Sequence, residues 1–249
     1  MKISACAAAA AGIVLVLSGC SGADPEPEPS SDEAVIDEYF TAFASSDPVK
    51  MENAADTTVE DSTAARYLTD QLNVARANNA NGLDHRSSDV EVEDDAVSVC
   101  QFGSCTEYAD FTIADGKLSN FTANGTSVGE RIAMGDGDVI TSGDVAGFEV
   151  LSAVQSADDD ELLVVVMRFH SYDRQIRPGT SAVYRNPVGE QVDNDLDSVV
   201  PGRLFADSNQ LGFVRFPRSA IGGEIVVEFR TEDDQEAIRD SARVPVAQD

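Results

Sequence analysis

The 249-residue chain contains no tryptophan, only two histidines and 17 basic residues against 45 acidic ones, which gives a formal net charge of −28. Aromatic residues make up 6% of the sequence, which argues against a wide stacking platform for sugars or bases. A surface this acidic repels nucleic acid and anionic lipid headgroups, so neither is an expected partner. The hydrophobic content of 42% still suffices for packed cores and argues against a disordered chain.

The sequence also lacks the common catalytic and nucleotide-binding motifs: it has no Walker loop, G-x-S-x-G, G-x-G-x-x-G, H-E-x-x-H or C-x-x-C. A nucleophilic serine needs a base that is oriented by a third group. His85 lies in a predicted solvated loop, and His170 lies on the outward face of a predicted strand from Leu162 to Tyr172. We therefore expect no catalytic residue, no cofactor and no enzymatic activity.

The only long apolar run is Ala5 to Leu17, which follows Lys2 and is too short for a comfortable membrane span. It has the length of the hydrophobic region of a signal peptide. The next residues, Leu17-Ser18-Gly19-Cys20, resemble the lipobox of bacterial lipoproteins. That resemblance implies cleavage before Cys20, lipid on its thiol and an anchor on the extracytoplasmic face of the cell membrane. The alternative is a soluble secreted protein with an ordinary cleavage site.

Helical patterns follow the Pro/Glu tract of Ala23 to Pro29, which reads as an extended tether. Ser30 and Glu33 have the spacing of a capping box, and Asp47-Pro48 predicts the start of a second, short helix. A third helix is predicted from about Val59 to Ala80, with one apolar stripe. The hydrophobic period then changes to two, which predicts strands from Val90 onward.

The segment from Met134 to Asp138 predicts the boundary between two domains, because the residues beyond it form strands without a long helix. The expected divisions are a signal peptide (1–19), a lipidated cysteine and linker (20–31), and domains over 32–133 and 139–247. The order of helices and strands, with "EYADFTIADGKLSNFTANG" from Glu107 to Gly125, resembles NTF2-like domains of actinobacterial lipoproteins. The later part resembles immunoglobulin-like domains. These resemblances imply an α+β cone followed by an all-β sandwich.

Cys100 and Cys105 form the one cysteine pair in the predicted mature chain, since Cys6 leaves with the signal peptide and Cys20 is the lipid attachment site. They bracket four residues of a predicted hairpin loop. An exported protein usually oxidises such a pair, which predicts a structural disulfide. A redox switch is the functional alternative.

Two acidic clusters suggest calcium without meeting the requirements of an EF-hand. A loop starting at Asp193 needs glycine at its sixth position and glutamate at its twelfth, where the sequence has Ser198 and Leu204. Asp193, Asp195 and Asp197 remain candidates for another kind of calcium site, as do the acidic residues 158–161. Both acidic clusters are better interpreted as solvated turns, so no metal is predicted.

Three functional hypotheses remain open. The first is a membrane-anchored, non-catalytic binding or scaffold protein of the cell envelope, with an envelope protein or a small ligand as its partner. The second is a small-molecule sensor or enzyme that uses the cone as a pocket, with Tyr108 and Asp110 on one side of a strand as pocket candidates. The third is an adhesion module stabilised by calcium.

Overall fold

A computed structural model describes residues 30–84, 86–93, 95–101, 103–157, 162–231 and 237–243. The predicted signal peptide, Cys20 and most of the tether lie outside these ranges, as do His85 and the acidic residues 158–161. Helices α1, α2 and α3 span Ser31–Ala44, Pro48–Ala54 and Thr63–Ala80. No helix in the described ranges is long and apolar enough to cross a membrane.

The described strands are numbered β1 to β14 in chain order. Their bounds are Asp89–Glu93, Ala96–Gln101, Ser104–Ala114, Lys117–Ala123, Thr126–Ser127, Ile132–Met134, Val139–Ser142, Ala146–Gln155, Leu162–Ser171, Ile176–Arg185, Gln191–Asp193, Ser208–Pro217, Glu224–Thr231 and Ala237–Arg243.

The first two helices start where their capping residues predict. The Ser30 hydroxyl accepts a hydrogen bond from the backbone N–H of Glu33 at 3.2 Å, and the Glu33 carboxylate accepts one from the N–H of Ser30 at 2.6 Å. Asp47 caps α2 in the same way through the N–H of Val49. These side chains satisfy backbone donors that have no partner within the helix.

Helix α3 starts four residues later than predicted, at Thr63, because the segment before it bonds to the sheet. The N–H of Val59 donates to the carbonyl of Leu118 on β4 at 3.0 Å. Asp61 then takes a positive φ of 58°, a conformation that no helix continues. Ser62 becomes the cap and accepts a hydrogen bond from the N–H of Ala65.

Strands β1 to β5 form an antiparallel sheet in sequential order, and one of its faces packs against the helices. Four fully or almost fully buried aromatic side chains fill the space between them: Tyr39, Phe40, Tyr108 and Phe121. The ring centroids of Phe40 lie 4.8 Å from Tyr108 and 5.4 Å from Phe121. This interior is therefore packed with side chains.

The remaining strands form two further antiparallel sheets, in the orders β12-β9-β8-β6 and β11-β10-β13-β14, with β7 also paired to β8. Their inner faces share one hydrophobic core, which includes Phe148 and Phe169 from one sheet and Tyr184 and Phe229 from the other. The inward residues of β9 alternate as predicted; they are Leu163, Val165, Met167 and Phe169.

Helix α3 lies between the first sheet and the β12-β9-β8-β6 sheet and is buried on both sides. Leu68 and Leu72 belong to the aromatic core. On the opposite face, Val74 and Ala77 pack against Val166 and Phe213 of the second sheet. The helix thus joins the helical half to the sandwich half, and the expected single apolar stripe describes only one of its faces.

The expected fold class, an NTF2-like cone followed by an immunoglobulin-like sandwich, is wrong. The described residues are mostly β, with three short helices and three antiparallel sheets, and they show no clear division into that pair of folds. Strand β6 pairs with β8, with Ile132 opposite Val154, and both side chains belong to the aromatic core. Because α3 and β6 link the two halves, no separately closed cone forms. The domain limits of 32–133 and 139–247 stay a prediction.

The tripeptide Arg177-Pro178-Gly179, whose composition is typical of a turn, lies within β10. Pro178 lies opposite Phe229 of β13, and the pairing register shifts between Pro178 and Ala182. Strand β11 pairs only with residues 183–185 of β10, so Pro178 stands where β10 is an edge. A strand accepts proline there because no neighbouring strand needs its missing N–H.

Candidate ligand-binding cleft

A cleft of about 460 Å³ lies where helices α1 and α3, strands β2 and β3, and the β12-β9-β8-β6 sheet meet. Its volume falls within the range of small-molecule sites. It differs from the expected pocket inside a cone, since it opens between the two halves of the chain. The packed aromatic core lies beneath it.

The helical half contributes an aromatic wall to the cleft. Phe43 at the end of α1, Tyr67 on α3 and Tyr108 on β3 line it. The ring centroids of Phe43 lie 5.7 Å from both tyrosine rings. The hydroxyls of Tyr67 and Tyr108 lie 3.3 Å apart in a buried hydrogen bond. This bond links the two phenol rings across the wall.

The facing wall comes from the second sheet and is mostly apolar. Leu162, Val164 and Phe213 line it, and Phe213 is held in place by its packing against α3. Arg215, two residues further along β12, adds the one charged group among the described residues of the lining. Its guanidinium Nε lies 3.2 Å from a carboxylate oxygen of Asp195, and its Nη1 lies 3.3 Å from one of Asp197.

Neutral polar groups complete the described lining. They are the hydroxyls and amides of Ser46, Gln71, Ser88, Gln101, Ser104, Thr106 and Ser156. Two side chains hold the rim near Ser156: Arg131 donates to its carbonyl at 2.8 Å, and Asn124 donates to the carbonyl of Ala157 at 2.8 Å. The cleft therefore combines rigid aromatic surface with several hydrogen-bonding groups.

A buried carboxyl group, Asp70 on α3, lies directly behind the lining residue Gln71. Its Oδ1 accepts a hydrogen bond from the Ser152 hydroxyl on β8 at 2.6 Å, and its Oδ2 accepts one from Gln71 Nε2 at 3.0 Å. Burial raises the pKa of Asp70 from 3.8 to about 6, and the two hydrogen bonds oppose the rise. Sequence reasoning missed Asp70, although an acid placed between Leu68 and Leu72 on a predicted helix was a signal.

The two predicted pocket candidates, Tyr108 and Asp110, do not lie together. Tyr108 is buried and lines the cleft, whereas Asp110 is exposed and accepts a hydrogen bond from the Thr122 hydroxyl at 3.1 Å. A register shift between Ala109 and Thr112 places a bulge in β3, and Asp110 takes a positive φ of 52°. The expected alternation of side chains holds only in a regular strand, and a bulge breaks it.

The disulfide between Cys100 and Cys105 is present. The two residues are directly opposite each other on β2 and β3. Their neighbours Gln101 and Ser104 line the cleft. The cross-link therefore closes the hairpin that forms one side of the cleft mouth.

The calcium candidates Asp193, Asp195 and Asp197 lie near the end of β11 and in the loop after it. The carboxylates of Asp195 and Asp197 both face Arg215, whose positive charge competes with a cation. In the part of the chain that the structure describes, no group of three or more His, Cys, Asp or Glu side chains is placed to hold a metal ion.

His170 lies on the outward face of β9, as its position in the strand predicts. Burial lowers its pKa, and the Glu149 carboxylate opposes this fall. Its Nε2 lies 3.9 Å from Glu149, which also pairs with Arg168 at 2.8 Å. His170 stacks on Tyr172 and is not among the residues that line the cleft.

Comparisons with known proteins give little support for any identity. No family model matches the chain, and no curated protein matches it. The chain is similar to the crystal structure of a DUF4426 family protein from Pseudomonas aeruginosa PAO1, at 10% sequence identity and a TM-score of 0.30. The match covers 45% of this chain and 95% of that one. A likeness this distant carries no functional argument.

Proposed function

We propose that this protein is a membrane-anchored, extracytoplasmic lipoprotein that binds a small molecule without catalysis, in the cleft between its helical half and its sandwich half. The cleft itself is the observation that carries the proposal. It has the size of a small-molecule site, an aromatic wall and several neutral polar groups.

The chemistry of the described lining favours binding over reaction. General acid–base and nucleophilic catalysis depend on groups such as histidine, a carboxylate or a thiol within reach of the substrate. The described lining residues include none of these three groups, although they include several hydroxyls. Asp70 has the raised pKa of a catalytic acid, but both of its oxygens are engaged by Ser152 and Gln71. Asp70 therefore supports the cleft from behind.

The membrane anchor rests on the lipobox resemblance at Cys20. Two or more acyl chains on this cysteine would hold the protein stably at a membrane, whereas one chain would hold it only marginally. The substitution Cys20→Ser tests the anchor in a bacterial host that processes lipoproteins. We expect the wild-type chain in the membrane fraction with a fatty-acid label. The variant should lose the label and leave the membrane. An unlabelled, soluble wild-type chain contradicts the anchor.

The binding role is tested by blocking the cleft. Ser104 is exposed and lines the mouth, so Ser104→Trp places a bulky side chain there. Ser98 lies on β2 of the same sheet and is not among the lining residues, so Ser98→Trp is the matched control. The probes are the neutral dye N-phenyl-1-naphthylamine and its anionic relative 1-anilinonaphthalene-8-sulfonate. The full chain with Cys20→Ser is used so that no detergent competes for the dyes. If neither dye binds, or if Ser104→Trp weakens neither, the proposed site is wrong.

A scaffold protein is a second candidate, and the filled aromatic core of the first half favours it. A scaffold needs no open site. If the protein is a scaffold, neither Ser104→Trp nor Ser98→Trp should alter the binding of either dye.

A further inference from the structure

We propose that the cleft selects an uncharged amphipathic molecule, with a flat or branched apolar body and neutral hydrogen-bonding groups. This inference rests on the proposed function, because it names the chemical class that the same cleft takes.

The apolar body fits between the two walls. The rings of Phe43 and Tyr67 are inclined by 32° with centroids 5.7 Å apart, so together they offer one broad surface. Phe213 and Val164 stand on the opposite wall. Offset-stacked and edge-to-face contacts with such rings favour a flat or branched apolar group.

The charge balance at Arg215 disfavours an anionic ligand. A free guanidinium in the cleft would attract a carboxylate or a phosphate. Here the guanidinium already faces the carboxylates of Asp195 and Asp197, so the three side chains together carry a net charge of −1. The formal charge of −28 on the whole chain acts in the same direction.

Among the described lining residues, no carboxylate offers a partner for a cationic ligand. The nearby Asp195 and Asp197 carboxylates are engaged with Arg215. Burying a ligand charge without a counter-charge costs free energy. A neutral ligand avoids the cost that an anionic or a cationic ligand would incur.

The polar groups suit neutral donors and acceptors. Gln71 Nε2 donates to Asp70 at 3.0 Å. The amide oxygen of Gln71 takes no part in this hydrogen bond. The paired hydroxyls of Tyr67 and Tyr108 lie in the same wall. A hydroxyl or amide on the ligand is the matching partner.

The two dyes test the selection directly, because they share the same fused and single rings and differ by one sulfonate. We expect the neutral dye to bind at least tenfold more tightly than the anionic one. Ser104→Trp should weaken the binding of the neutral dye at least tenfold, and Ser98→Trp should leave the binding of that dye unchanged.

Asp197→Asn supplies an independent test of the charge balance. Asp197 is exposed and is not among the lining residues. Its substitution removes one of the two carboxylates facing Arg215, so binding of the anionic dye should improve several-fold while binding of the neutral dye stays the same. If the anionic dye binds more tightly in the wild type and Ser104→Trp blocks it, the cleft is a site but the neutral class is wrong. If neither dye depends on Ser104, both the class and the site are wrong.

Discussion

The buried carboxyl group of Asp70 makes the stability of this protein depend on pH in a predictable way. Asp70 is buried between α3 and β8, and its pKa rises from 3.8 to about 6 on folding. An acid whose pKa is raised by folding is destabilising once it is ionised. Below about pH 3 Asp70 is protonated in both the folded and the unfolded state, so it has no effect on stability. As the pH rises towards 6, only the unfolded state loses the proton, and stability falls.

The size of this effect follows from the shift. The pKa moves from 3.8 to about 6, and each unit corresponds to about 1.4 kcal/mol. The full loss is therefore about 3 kcal/mol, reached above pH 6. About 2 kcal/mol of this should appear between roughly pH 4.5 and pH 7.5.

The substitution Asp70→Asn keeps the size of the side chain and removes the titration. The free energy of unfolding is measured with urea for wild type and variant across this pH range. The two free energies of unfolding are subtracted at each pH, because the contributions of the other acidic residues cancel in the difference. The variant should gain about 2 kcal/mol of stability relative to the wild type as the pH rises over this range.

Asp56→Asn is the matched control, because it removes an exposed carboxylate and changes the net charge by the same unit. Its difference from the wild type should change much less over the same range. If the Asp70→Asn difference stays constant with pH, Asp70 does not change its pKa on folding, and the reasoning is refuted.

Three further predictions concern the stability of the fold. Replacing both Cys100 and Cys105 by serine should cost about 2 kcal/mol in urea unfolding, because the closed loop is short; equal stability of both forms would contradict this. Gly135→Ala places a Cβ 1.8 Å from the carbonyl oxygen of Val150 and should cost about 1–3 kcal/mol or more, whereas Gly202→Ala meets nothing within 4 Å and should be nearly neutral. Ser30→Ala removes the cap of α1 and should cost about 1 kcal/mol, and an unchanged melting temperature would show that the cap does not matter.

Local features of the fold could be predicted because each depends on a few adjacent residues. The Ser30–Glu33 capping box, the Asp47-Pro48 helix start and the cysteine hairpin are all present. Strand β4 spans Lys117–Ala123, in the region after Val90 where the hydrophobic period of two predicts strands. In the capping box, the helix start and the cysteine hairpin, the side chain that marks the feature in the sequence also forms its hydrogen bond or its disulfide.

The features that were missed depend on residues far apart in the chain. The second buried face of α3 is apolar only at Val74 and Ala77, and its partner Phe213 lies more than a hundred residues away. The bulge at Asp110 depends on pairing with β4. The cleft could not be predicted either, since its walls come from both halves. The sequence predicts Tyr108 as a pocket residue inside a cone, whereas the structure places it in the wall of this cleft.

The central claim is that a small neutral molecule binds between the two halves of the chain. The most direct measurement follows the methyl NMR signals of the chain while N-phenyl-1-naphthylamine is added. Val74, Val154 and Val164 line the cleft, whereas Ile225 and Val227 lie in the core between the two sandwich sheets. We expect saturable shifts in the first group and none in the second. Shifts at Ile225 and Val227 without shifts in the cleft, or no shifts at all, would contradict it.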